Sequence, residues 1–511
     1  MTIFQSPFPD VPLRDQTITE RVLDGLSPRG DAVVLTDGPT GQTVTAAALI
    51  QQIKRLAGGL NARGTGAGTT IALMSPNIPT YATIFHGIAY AGGTITTINP
   101  TYTAPEVTHQ LNDSGATILI TVEMFADTAR EAAVGTAVDE IVIIGTPAFE
   151  ALFGAPQAAQ TPVELDQHTV VLPYSSGTTG LSKGVMLSHR NLVVNIDQIL
   201  GTIVIEPDDA IAGFLPFFHI YGMMVGLNCY LARGAHVVTM PRFDLPMFLQ
   251  LAQDHQTSRM WVVPPVGIAL AKHPLVDDYD LSAVKEVYIA AAPSGSELTN
   301  AIAARMNCTV LQAYGMTELS PASHLVPGTA PRAGAAGLLV PNTQARIVDI
   351  ESGHNCAADQ EGELWLKGPQ VMQGYLNNPT ATAETIVTDG WLRTGDIARI
   401  DPDGYMFITD RLKELIKFKG FQVAPAELEA TLVALDGITD AGVVGRADDD
   451  AGEVPVAFVV RAEGGPDDAA IHAHMAATLS SYKQLHAIIE VDEIPKNPSG
   501  KILRRLLRDR L

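Results

Sequence analysis

Apolar runs and amphipathic stretches alternate along most of this 511-residue chain. "TTIALMSP" (69–76) reads as a buried strand and "PTYATIFHGIAYAG" (79–92) as a helix; "ATILITV" (116–122) and "EMFADTAREAAV" (123–134) repeat the alternation. Strands separated by helical stretches of this length predict an α/β fold with parallel sheets. The most apolar segment, "YATIFHGIAYAGGTITTI" (81–98), is too short and too interrupted by glycines for a membrane span. It is expected to be a buried helix running into a strand. The texture changes near residue 391. "GDIARI", "DPDG" and "YMFITDR" (395–411) predict a hairpin with its turn at 401–404. Residue 400 would then face 405 and residue 396 would face 409, leaving Asp396 within two positions of Arg411. We place a domain boundary here. Residues 1–410 are expected to form a large region of parallel and mixed sheets with flanking helices. Residues 411–511 are expected to form a small, mobile α+β domain, a usual size for a domain.

Composition narrows the classes. The net charge of −22 argues against nucleic acid, which demands a basic surface. Residues 411–511 carry 13 Lys/Arg against 16 Asp/Glu, far closer to balance than the chain as a whole. A polyanionic small molecule could therefore be met there. The cysteines Cys229, Cys308 and Cys356 are isolated, without metal spacing, and read as buried small hydrophobes in a reducing compartment. No secretory signal or C-terminal peroxisomal tripeptide is evident, so a cytoplasmic enzyme is expected.

"YSSGTTGLSKGV" (174–185) lies between two apolar runs. Its glycines let backbone N–H groups converge on an anion, its hydroxyls add donors, and Lys183 adds charge. It is not a Walker A loop, because Ser182 and Gly184 flank the lysine and a strand follows. The next helix is expected to begin at Ser188 as N-cap, with Leu192, Ile196 and Ile199 as its apolar face. On composition alone a flexible hairpin would explain the loop equally well.

Its company changes that. "SSGTTGLSKGV" resembles the signature loop of the adenylate-forming superfamily of acyl-CoA synthetases, luciferases and peptide-synthetase adenylation domains. "PFFHIYG" (216–222), "QAYGMTE" (312–318), "GWLRTGD" (390–396) with "DRLKELIKFKGFQVAPAELE" (410–429), and "PSGKILRR" (498–505) follow in the family's order. The set is most similar to the 4-coumarate–CoA ligase branch. Ser182 and Ala313 depart from residues common there, proline and glycine.

The resemblance implies a two-step reaction that uses ATP, Mg²⁺ and CoA. A carboxylate attacks the α-phosphate to give acyl-AMP and pyrophosphate, and the CoA thiol then takes the acyl group. Ser175, Ser176, Gly177, Thr178, Thr179, Gly180 and Lys183 would hold the β- and γ-phosphates. Gln312, Tyr314 and Gly315 would bind the cofactor, with Tyr314 offering a flat face for adenine and Gly315 also near the acyl pocket; Thr317 would bond the α-phosphate, and Glu318 would ligate Mg²⁺. Asp396 and Arg411 would grip the ribose hydroxyls; a plain cross-strand ion pair is the bland alternative. Lys501 would bridge carboxylate and α-phosphate, although most lysines are merely solvated. Lys413 would be the hinge of a rotating lid. Rotation would replace Lys501 by the face carrying Lys417, Lys419, Gly420 and Gln422, of which Lys419 and Gly420 line the CoA channel. His219 would gate the carboxylate, though a lone histidine is more often simply packed. Ile220, Tyr221, Val225, Ala290, Ala291, Ala313 and Pro321 map to the acyl pocket. A cinnamic-type aromatic acid is expected. The alternatives are a fatty acyl-CoA synthetase, a fatty acyl-AMP ligase, a luciferase-like oxygenase, and a non-enzymatic nucleotide-binding protein.

Overall fold

The computed structural model describes residues 2–175, 182–292, 294–419, 421–448, 451–497 and 500–511, with only the backbone given for Ser296 and Gln422. A seven-stranded sheet runs in the order Gly374–Tyr375, Lys183–Ser188, Thr169–Ser175, Thr94–Ile98, Thr70–Met74, Ile118–Thr121, Glu140–Ile143. Its five later-named strands are mutually parallel, and Thr169–Ser175 turns antiparallel into Lys183–Ser188. The central strands are buried on both faces, which explains their unbroken apolar runs. The helix Pro79–Tyr90 has ten buried residues in succession, as the sequence predicts. It lies so close to the helix Ala46–Ala62 that a Cβ on Gly87 would stand 2.6 Å from Leu56 Cδ2.

A second sheet brings Arg259–Val262, Glu286–Ile289 and Thr309–Gly315 together in parallel, then adds Ala322–Leu325 and Leu338–Leu339 antiparallel. A third joins Ala210–Gly213, His236–Thr239 and Val33–Asp37 in parallel. One large apolar core runs through these layers. The helix His189–Thr202 begins where expected: Ser188 and Asn191 form a reciprocal cap, and Leu192, Ile196 and Ile199 are fully buried.

An antiparallel six-stranded sheet, which holds the expected hairpin, contains Gln344–Val348, Gly362–Lys367, Trp391–Ile400 and Met406–Arg411 over its own smaller core. After residue 411 the chain makes a turn and enters a different sheet, Phe421–Val423, Ile416–Phe418, Gly452–Arg461, Ile438–Asp448, with Ala487–Glu490 beside Gly452–Arg461. Ile416, Val423, Leu428 and Leu432 pack there into a separate core. Among the described residues, no helix is long and apolar enough to cross a membrane.

Candidate active site

The site lies where the ends of three sheets meet. The turn between the strands Thr169–Ser175 and Lys183–Ser188 is pinned at its base by the pair Ser175–Lys183. Ser176, Gly177, Thr178, Thr179 and Gly180 lie outside the described residues. Lys183 Nζ stands 4.6 Å from the ring centroid of Tyr375. The Tyr375 hydroxyl donates to Glu318 Oε1 (2.8 Å), and Ser175 Oγ donates to the same oxygen (3.3 Å). Glu318 is buried in the short turn Thr317–Leu319. The loop's base, its lysine and the expected metal-binding carboxylate therefore form one cluster. Tyr375 joins it without any local sequence signal.

The strand Thr309–Gly315 leads into this turn. A Cβ on Gly315 would fall 2.3 Å from Pro321 O, so the two segments can meet only at glycine. Gln312 Nε2 donates to Ser294 O (3.4 Å). The Tyr314 hydroxyl donates to Asp396 Oδ2 (2.6 Å), while Arg411 Nε lies 3.1 Å from Asp396 Oδ1. Burial, and then the charge of Asp396, hold the Tyr314 phenol above its ordinary pKa, so it remains a donor. The Asp396 charge likewise raises Arg411, a cation already fixed in its charge. The hairpin register differs from the expected one. Ile400 faces Met406 instead of 405, and a bulge between Ile397 and Ala398 leaves Thr409 as the extra residue. Both shifts move Arg411 the same way, and it stands directly opposite Asp396.

Lys501, near the far end of the chain, lies within the electrostatic field of this pair. Its turn is closed by Lys501 N–H to Asn497 Oδ1 (2.9 Å) and by Asn497 N–H to Lys501 O (2.9 Å). A Cβ on Gly500 would stand 3.2 Å from Pro265 Cδ and 3.4 Å from Val263 Cβ, so the turn packs on the body of the protein. Burial, followed by repulsion from Arg411, lowers the Lys501 pKa to about 8, partly offset by Asp396 and Glu414.

A buried carboxylate with an arginine fork, a Lys183–Tyr375–Glu318 cluster, and a lysine turn packed on the body are the parts that anion binding calls for. Residues 26–376 match the AMP-binding enzyme family, and residues 427–501 match the AMP-binding enzyme C-terminal domain. The chain belongs to the AMP-binding enzyme family. It is 42% identical over 528 residues to 4-coumarate–CoA ligase 5 of Oryza sativa subsp. japonica, covering 100% of this chain and 97% of the relative. It is 41% identical over 526 residues to 4-coumarate–CoA ligase 1 of Petroselinum crispum, again covering 100% and 97%. ATP-bound MatB from Rhodopseudomonas palustris superposes with a TM-score of 0.89 at 29% identity, covering 97% and 98%. The apo form of that protein gives 0.79 at the same identity and coverage.

The other expected residues of this AMP-binding enzyme lie as follows. Lys417 faces Gln422 across the hairpin Ile416–Phe418/Phe421–Val423. Lys417 and Lys419 are exposed and do not join Lys501 at the nucleotide edge; Gly420 and the Gln422 side chain lie outside the described residues. Lys413 is exposed in the turn that links the two sheets. His219 Nδ1 accepts the Tyr221 N–H (3.2 Å), so the neutral ring carries its proton on Nε2. Burial lowers its pKa to about 4, which keeps it neutral at physiological pH. Ile220, Tyr221, Val225 and Ala290 are buried in the large core, with Ala313 packed against it. Pro321 is buried, while Ala291 is exposed at a φ of 75°. The Tyr221 hydroxyl is buried without a hydrogen-bond partner among the described residues, and its ring meets Trp261 edge-on at 6.4 Å. Tyr221 opens onto the π-helical segment Gly222–Asn228, a wide turn of the kind common at functional sites.

Proposed function

We propose that this protein is an ATP-dependent acyl-CoA ligase that converts a 4-coumarate-type aromatic acid to its CoA thioester through an acyl-AMP. The observation that carries the reading is that the turn bearing Lys501 packs against Val263 and Pro265 of the body, within the electrostatic reach of the Asp396–Arg411 pair.

In the first half-reaction two oxyanions must approach. Asp396 and Arg411 fix the ribose, Tyr314 walls the adenine, and Thr317 bonds the α-phosphate. Lys501 offsets the charge as the carboxylate attacks in line and pyrophosphate leaves. The residues fit a magnesium ion: both hydrogen bonds described on Glu318 fall on Oε1, leaving Oε2 to a hard cation that takes its remaining ligands from phosphate and water. Bound there, Mg²⁺ would neutralise the triphosphate.

The second half-reaction needs a thiol channel where Lys501 now sits. We infer a lid, residues 411–511, that pivots at Lys413 and brings Lys417, Lys419, Gly420 and Gln422 inward. The exposure of Lys417 and Lys419 in the present arrangement supports this. So does the closer likeness to the ATP-bound than to the apo form of MatB. His219, neutral and mostly buried, would serve as a gate beside the carboxylate. The unpartnered Tyr221 hydroxyl favours an acid with a polar ring substituent over an alkyl chain, because it would leave that hydroxyl unsatisfied. Three unpaired thiols fit a cytoplasmic setting.

AMP release across a panel of aromatic and alkyl acids, with and without CoA, tests the assignment. CoA-dependent thioester from coumarate or ferulate is expected. Turnover restricted to alkyl acids, or acyl-AMP that never passes to CoA, would replace it with a fatty acyl-CoA synthetase or an acyl-AMP ligase.

A further inference from the structure

Asp410 precedes the turn at Lys413 and is 3% exposed. Its Oδ1 accepts the N–H of its neighbour Arg411 (2.6 Å). Its Oδ2 accepts the N–H of Ala426 (2.9 Å), the second residue of the helix Pro425–Ala434. That helix has Pro425 at its first position, and its N-cap, Ala424, offers no side-chain oxygen. Asp410 therefore supplies the missing cap from the other side of the hinge, with its negative charge at the positive end of the helix.

The same carboxylate lies in the field of Arg504. Arg504 Nη2 forms a bidentate pair with Glu429 (2.8 and 2.8 Å), a residue of the helix that Asp410 caps. Arg508 pairs with Glu414 at 2.7 Å, and Arg504 lies 4.0 Å from Glu414. Arg504 and Arg508 belong to the short helix that follows Lys501. Glu414, Glu429, Arg504 and Arg508 all lie after Lys413 and would travel together. Asp410 would not. A rotation at Lys413 would remove the Ala426 N–H and the Arg504 charge from a carboxylate that burial already penalises.

Building on the lid reading above, we propose that Asp410 is a positioning residue for adenylation. By capping the helix Pro425–Ala434 across the hinge, it latches the lid in the orientation that presents Lys501. It is made and broken once per turnover, so it favours the first half-reaction and sets part of the barrier to the second.

The test uses the full-length enzyme and the variants Asp410→Ala, Asp410→Asn and Lys501→Ala. Acid-dependent ATP–pyrophosphate exchange reports the first half, and thioester formation from supplied acyl-AMP and CoA reports the second. Asp410→Ala is expected to lower exchange by roughly five- to thirtyfold, the span of a lost helix cap. Thioester formation should not fall with it, and Asp410→Asn, which keeps one acceptor oxygen, should recover part of the loss. If Asp410→Ala does not fold, the isosteric Asp410→Asn carries the same comparison. Equal loss of both halves, or loss of neither, while Lys501→Ala still separates them, overturns the latch and leaves the lid standing. Equal loss of both halves in Lys501→Ala overturns the lid and the latch together.

Discussion

Asp396 and Arg411 stand directly opposite each other on antiparallel strands, Nε 3.1 Å from Oδ1, and the other carboxylate oxygen holds the Tyr314 hydroxyl at 2.6 Å. One buried carboxylate thus orients both Arg411 and the Tyr314 ring, the groups proposed to grip the ribose and wall the adenine. Asp396→Ala removes both partners at once. Hydrogen bonds to charged groups contribute roughly 1.5–3 kcal/mol each. The variant is expected to raise the KM for ATP by about tenfold or more and to lower the thermal midpoint. An unchanged KM in isothermal nucleotide titration or steady-state kinetics would remove Asp396 from the nucleotide site.

Lys501 gives the pH dependence. Its pKa of about 8 lies below the ordinary lysine value, because burial and Arg411 disfavour the charged form. Adenylation needs the charged amine. The kcat/KM for ATP in pyrophosphate exchange should be level below pH about 8 and fall as pH rises through it, since that parameter reports the free enzyme. In Lys501→Arg this fall should vanish, because a guanidinium keeps its proton. A profile that instead falls towards acid below neutrality would assign the controlling group elsewhere.

Glu318 separates metal binding from folding. Glu318→Gln keeps an acceptor for Tyr375 and Ser175 but loses the charge. Half-saturating Mg²⁺ is expected to rise by roughly ten- to a hundredfold, with the thermal midpoint of the ligand-free protein little changed. Magnesium dependence identical to wild type would exclude Glu318 as a ligand.

Tyr221 tests the acid. Its buried hydroxyl has no partner among the described residues, so Tyr221→Phe should not destabilise the fold. It should raise the KM for 4-coumarate relative to cinnamate, which lacks the ring hydroxyl, by a difference of about 1–3 kcal/mol. Equal effects on both acids would show that the hydroxyl does not read the ring.

Much of the site was legible because its determinants are local. The two strands flanking the glycine-rich stretch, the reciprocal cap at Ser188 and the buried helix at 79–90 follow from side-chain periodicity and capping chemistry within a few residues. The adjacency of Asp396 and Arg411 was legible to within two positions. The remaining shift came from a bulge and a longer turn, which depend on how neighbouring strands pack. Tyr375 was not legible. It meets Glu318 across 57 residues, on a two-residue strand at the edge of a sheet. Nor was the Asp410 cap, since the helix it serves carries no polar N-cap of its own to mark the place. Lys417 and Lys419 are exposed, and local patterning does not encode which face of their hairpin turns outward.

The central claim is that the amine of Lys501 serves the first chemical step and leaves before the second. Lys501→Ala, assayed separately for acid-dependent ATP–pyrophosphate exchange and for thioester synthesis from purified acyl-AMP with CoA, tests it most directly. The account predicts exchange reduced by roughly a hundredfold or more with thioester synthesis largely retained. Parallel loss of both activities, or exchange that survives the substitution, would contradict it.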